Sequence, residues 1–188
     1  MFCAVELPEV IRTRIEKHVE RVRVAVPDAQ PSWTRVNNIH LTLKFFGNVE
    51  PTRIDGITDA LSRAVESVSP FKVSIGGAGA FPNNRQPRVL WMGVNDSTGQ
   101  LNQLHECIDE ACAKRGFEKE SRAYRPHLTI ARIRKSEGAR ALAEANQKFG
   151  FAPVEMLVRE VLLFRSELSS KGSKYTVVSR HELSLGSK

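Results

Sequence analysis

Ile39-His40-Leu41-Thr42-Leu43-Lys44-Phe45-Phe46 opens with alternating apolar and polar side chains, the pattern of a strand with one face in a core and the other free. His40 and Thr42 share the free face, and Leu41 and Leu43 share the opposite one. The tetrad returns 87 positions later as His127-Leu128-Thr129-Ile130. Two such tetrads would occur by chance in roughly one chain in a thousand of this size. The separation is nearly half of the 188 residues, so the spacing predicts two related halves that each contribute one arm. Facing imidazoles supply a general acid and a general base, and paired hydroxyls donate to an anion between them. The set suits phosphodiester chemistry without a metal.

Outward from the tetrads the chain reads as a mixture of strands and helices. Residues 2–7 read as a strand, followed by a helix from Pro8 with Ile11, Ile15, Val19, Val22 and Val26 at helical spacing. A short strand at 33–36 and a turn at Asn37-Asn38 lead into the tetrad strand at 39–46. A helix over 51–69 carries Ile54, Ile57, Leu61, Val65 and Val68 on one face. Residues 71–75 and 89–94 read as a strand pair joined by a glycine-rich loop at 76–84. A helix over 98–114, the second tetrad strand at 127–134 and a helix over 137–149 follow. Strands at 153–157, 160–165 and 175–183 close the chain, the last two joined by a polar turn at 169–173. The order lacks regular βαβ alternation, which predicts an α+β fold with mainly antiparallel sheets. No linker or low-complexity tract divides residues 1–188, so one domain with two pseudo-symmetric lobes is expected.

Hydrophobic content of 41% and charged content of 26% fit a globular protein in water, and the apolar runs are too short for a membrane span. The start of the chain lacks the basic and apolar regions of a signal peptide. Cys3, Cys107 and Cys112 have no metal-ligand spacing and read as apolar residues of a reducing cytoplasm. The net charge of +7 favours an anionic partner. Arg122, Arg125, Arg132, Arg134 and Lys135 crowd the second tetrad, while Arg85 and Arg88 lie near mid-chain. Phosphate contacts come mainly from such side chains. His18, His105 and His181 lack partners at ligand spacing and read as surface or structural residues; no metal site and no cofactor are expected. The glycines at 76–79 lack the Lys-Ser/Thr of a phosphate-binding loop.

The stretches 38–47 and 125–132 resemble the two-histidine phosphoesterase superfamily. Within it the chain is most similar to the bacterial and archaeal RNA 2′,3′-cyclic phosphodiesterases of the LigT/ThpR type, also called 2′-5′ RNA ligases. Residues 2–8, 87–94, 163–168 and 172–175 extend the likeness nearly end to end. The basic residue that this family often carries after the initiator methionine is absent. The resemblance implies a bilobal fold whose two sheets flank a groove, and metal-independent opening of an RNA 2′,3′-cyclic phosphate to a 2′-phosphate. It implies His40 and His127 as acid and base, with Thr42 and Thr129 as charge-stabilising donors. It also implies Arg132 on the phosphate, Phe45 at the nucleoside and Arg88 on the RNA. Alternatives are 2′-5′ ligation by the same residues, or a non-catalytic RNA- or nucleotide-binding module. The expected enzyme is a monomer whose partner is an RNA or oligonucleotide with a cyclic phosphate end. Arg125, Arg132 and Arg134 surround His127, whereas Lys44 is the one cation close after His40. That imbalance predicts the neutral base at His127 and the proton at His40.

Overall fold

Apolar alternation in the strands and 3.6-residue periodicity in the helices bury two sheets against two helix pairs. The computed structural model describes residues 1–169 and 172–184. Its strands are β1 (Phe2–Glu6), β2 (Ser32–Trp33), β3 (His40–Phe45), β4 (Phe71–Phe81), β5 (Val89–Asn95), β6 (His127–Arg132), β7 (Val154–Val158), β8 (Glu160–Ser169) and β9 (Gly172–Glu182). Its α-helices are α1 (Glu9–Ala25), α2 (Ile54–Val65), α3 (Gln100–Ala113) and α4 (Ala139–Phe149). The first sheet has the order β3-β1-β8-β9 and the second the order β2-β6-β5-β4-β7. Every strand pair is antiparallel. The α+β expectation holds.

Each tetrad falls on a different sheet, but the sheets do not divide the chain at its middle. The first is built from both ends of the sequence and the second from its interior. α2 and α3 pack together against the first sheet, although α3 leaves from a strand of the second. α1 leaves the first sheet and lies along α4, which covers β4. The predicted helix faces are the buried ones: Ile11, Ile15, Val19 and Val22 in α1, Ile57, Leu61 and Val65 in α2, and Leu101, Leu104 and Ile108 in α3. His18 is also on the inner face of α1, 2.8 Å from the side-chain oxygen of Asn146 in α4. Asn146 in turn donates to the Gly79 carbonyl at 3.0 Å, which ties α1, α4 and β4 together.

The glycine-rich stretch is strand where the sequence suggested a loop. β4 runs on to Phe81 and pairs with β5 from Ser74 to Phe81, with a register shift between Gly76 and Ala78. Gly77, at φ +70°, occupies that shift. A Cβ at Gly79 would lie 2.4 Å from the Trp91 ring, and one at Gly76 would lie 3.2 Å from Pro153 Cα. The glycines let neighbouring groups approach the strand closely. The strand expected at 33–36 is shorter and earlier, and Val36–Asn38 form a 3₁₀ turn. Of the polar turn expected at 169–173, residues 170 and 171 lie outside the described residues.

Candidate active site

Each tetrad ends in a β-bulge at its fourth residue. On β3, Thr42 faces Ala4 and Lys44 faces Cys3, so Leu43 has no partner in the register. On β6, Thr129 faces Trp91 and Ala131 faces Leu90, so Ile130 has none. The bulge puts two consecutive residues on the buried side, Leu43 with Lys44 and Ile130 with Ala131. It thereby returns Phe45 and Arg132 to the open side with their histidine and threonine. Strict alternation would have turned both inward. The two substrate-binding candidates, five residues after each histidine, owe their orientation to this extra residue.

The imidazoles are held alike. His40 donates Nδ1–H to the Asn38 carbonyl at 2.7 Å, and His127 donates Nδ1–H to the Arg125 carbonyl at 2.8 Å. A carbonyl only accepts, so Nε2 of each ring is left for proton transfer. Both rings line one small cavity of about 140 Å³ with Thr42, Thr129, Phe45 and Arg132. A second cavity of about 600 Å³ adjoins it and shares Thr42, Phe45 and His127. The small space matches a phosphate, and the larger, bounded by Phe45, Phe81 and Tyr124, matches a nucleoside. Arg88 lies outside both, exposed on the turn before β5, where Val89 pairs with Arg132. The structure therefore brings six of the seven predicted residues together and leaves Arg88 at the rim.

The family model described as "2'-5' RNA ligase superfamily" matches residues 11–169. This chain belongs to the 2′-5′ RNA ligase superfamily. It is 37% identical over 176 residues to the RNA 2′,3′-cyclic phosphodiesterase of Methanothermobacter thermautotrophicus, covering 93% of this chain and 94% of that protein. It is 32% identical over 172 residues to the enzyme of the same name from Aquifex aeolicus, covering 90% and 91%. The solved structure of TT0787 from Thermus thermophilus superposes with a TM-score of 0.75 at 25% identity, covering 97% of this chain and 96% of that one.

In this superfamily member the two histidines sit in unequal surroundings. His40 stacks on Phe2 at 4.5 Å and on Phe164 at 6.3 Å, and Tyr175 meets it edge-on at 5.5 Å. His127 meets one aromatic ring, Phe81, edge-on at 5.0 Å. Burial lowers the His40 pKa to about 4; its bond to the Asn38 carbonyl opposes the shift, and the charge of Arg132 adds to it. That overturns the charge balance expected from the sequence. Arg132 acts on His40 across the groove, and Lys44 is no free cation beside His40. The bulge turns Lys44 inward, where Nζ lies 2.5 Å from Asp109 Oδ1 and 2.7 Å from the Glu118 carbonyl. In the free site, His40 is neutral.

Several lining residues carry no local sequence signal. Thr34 and Asn38 reach the small cavity from the segment after β2, and Tyr175 reaches it from β9. Phe81 arrives at the end of the strand read as a loop. Phe2 reaches His40 through the pairing of β1 with β3, and the long-range pairings of β8 with β1 and of β9 with β8 add Phe164 and Tyr175 to the aromatic wall. Among the described residues, no group of three or more His, Cys, Asp or Glu side chains could hold a metal ion, and no helix is long and apolar enough to cross a membrane.

Proposed function

We propose that this chain hydrolyses the 2′,3′-cyclic phosphate end of RNA to a 2′-phosphate, as one bilobal domain over residues 1–188 with two pseudo-symmetric lobes. The observation that carries the reading is the matched pair of imidazoles, each fixed in the same tautomer, each followed by a bulge and both opening on one phosphate-sized cavity. Water attacks phosphorus in line with the 3′ oxygen. One histidine takes the proton from water, the P–O3′ bond breaks, and the other histidine protonates the departing oxygen. Thr42, Thr129 and Arg132 donate to the non-bridging oxygens as negative charge gathers there. Phe45 borders the nucleoside, and Arg88 meets RNA beyond the terminal nucleotide. The relatives at 37% and 32% identity are named for this hydrolysis, and water outcompetes a second RNA end unless the two ends are held together. The same reading has the chain acting as a monomer in a reducing cytoplasm, in keeping with the free thiols of Cys3, Cys107 and Cys112.

The direct test is incubation of purified protein with a nucleoside 2′,3′-cyclic phosphate in EDTA, followed by identification of the product isomer. The expected result is full turnover to the 2′-phosphate. Activity lost on chelation and restored by a divalent ion would reject metal-free catalysis, and a 3′-phosphate product would reject the assignment of the leaving oxygen.

The neutral His40 of the free enzyme predicts the pH profile. A productive site holds one proton across the pair, so kcat/KM falls when both rings are protonated. That acid limb belongs near pH 4, well below the ordinary histidine range. Below it, kcat/KM should drop about tenfold per pH unit. A limb near 6.5 in wild type would contradict the burial effect.

The pH profile is identical whichever histidine carries the proton, so the roles need a different probe. A bound phosphate screens the Arg132 charge that adds to the lowering of the His40 pKa and places negative charge beside the ring, which favours a proton there. His40 then acts as the acid and His127 as the base. A cyclic substrate with sulfur at the 3′ bridging position leaves with little need for protonation. It is expected to restore much of the activity of His40→Ala and none of that of His127→Ala. The opposite pattern would exchange the two roles.

A further inference from the structure

The two bulges are alike, but their outer edges are closed differently. Beside β6 lies the end of β2, where the Thr34 N–H donates to the carbonyl of the bulged Ile130 at 2.9 Å. β3 is the outermost strand of its sheet, so no strand among the described residues lies there to donate to its outward carbonyls. Two side chains fill that place. His105 of α3 donates Nδ1–H to the carbonyl of the bulged Leu43 at 2.9 Å. Tyr124 donates its hydroxyl to the carbonyl of Thr42 at 3.0 Å. Their rings stack at 4.1 Å with an interplanar angle of 10°. Burial pushes the Tyr124 phenol pKa up, so it stays a donor throughout the working pH range.

We infer that Tyr124 is a positioning residue for the hydrolysis: its hydroxyl holds the Thr42 peptide at the bulge and so aims the Thr42 side chain at the phosphate, with His105 as its backing. The inference rests on the phosphodiesterase reading above. Tyr124 and His105 wall the larger cavity, and Thr42 lines both cavities, so the nucleoside and phosphate spaces meet at this peptide. A ring alone would serve as a wall. The hydroxyl serves one acceptor, the carbonyl of the residue whose side chain faces the reacting group. The segment at 117–125 is pinned independently by Lys44 on the Glu118 carbonyl and by the Glu120 N–H on Asp109. Tyr124→Phe therefore removes the hydrogen bond without releasing the segment.

The test is a double-mutant cycle on a nucleoside 2′,3′-cyclic phosphate, with wild type, Tyr124→Phe, Thr42→Ala and the double variant, each also melted thermally. Tyr124→Phe is expected to lower kcat roughly three- to tenfold, the scale of one net hydrogen bond, with KM within about twofold. Thr42→Ala should lose roughly ten- to a thousandfold by itself. In the Thr42→Ala background the tyrosine change should cost nothing more, because the group it aims is gone. If Tyr124→Phe melts early, the four proteins are compared at a temperature below its transition, where the variant is folded by circular dichroism and the cycle reads the same coupling. Wild-type kcat in Tyr124→Phe would overturn the inference, as would single losses that multiply in full. An inactive wild type would instead sink the phosphodiesterase reading.

Discussion

Alanine at His40 or at His127 is expected to lower turnover by at least about a hundredfold, the usual scale for losing a general acid or base. The geometry leaves little room for substitution. Nδ1 of each ring is committed to the carbonyl two residues upstream, so Nε2 is the group free to exchange a proton. Thr42 and Thr129 offer hydroxyls that donate well but are poor proton acceptors near neutrality. Both variants should fold, because both imidazoles line the cavity rather than fill the core, His127 against one ring edge and His40 against the aromatic wall. Steady-state kinetics with circular dichroism checks both statements. Normal hydrolysis by the double alanine variant would end the catalytic assignment.

Asp109→Ala should destabilise the protein by about 3–5 kcal/mol, the cost of leaving the partner of a buried ion pair alone. The Lys44 side chain is 3% exposed and that of Asp109 12%. Burial alone would raise the Asp109 pKa, but the bond from Lys44 and the N–H of Glu120 overcome it and hold the carboxyl below its usual range. With the carboxylate removed, the ammonium keeps the Glu118 carbonyl and loses its counter-charge. For a chain of this length the melting temperature should fall by roughly ten degrees. Replacing both partners, as in Lys44→Met with Asp109→Leu, should restore most of the loss. If Asp109→Ala melts like wild type, the pair contributes little to the fold.

Lys44 also shows where the sequence stops being readable. Its neighbours mark a strand and a histidine, and a lysine four residues on reads naturally as a cation near the site. The fact that reverses this is the bulge at Leu43, together with an aspartate 65 positions away. Neither has a local signature. Helix faces were legible because Ile11, Ile15 and Val19, or Leu101, Leu104 and Ile108, recur at a period that only a helix places on one side. The histidines and threonines were legible because their spacing repeats. The glycines at 76–79 misled because glycine marks loops and crowded strands alike, and only Trp91 and Pro153 tell the cases apart. Phe2, Phe164 and Tyr175 were invisible as a wall because their meeting depends on strands from opposite ends of the chain.

That last arrangement has a bearing on synthesis. Phe2 lies opposite Phe164 in the ladder, and β1 has β3 alone until β8 arrives. A ribosome that has released residues 1–150 has already delivered both tetrads and the whole of β6. The nascent chain still lacks the strands that finish the first sheet and enclose His40. Such long-range closure is slow and comes late. It leaves the first-translated strand with an open hydrogen-bonding edge meanwhile, a setting in which holding chaperones matter. On the hydrolase reading, activity is expected to begin only with the docking of β8 and β9, so that a nascent chain carrying both tetrads would still be inactive.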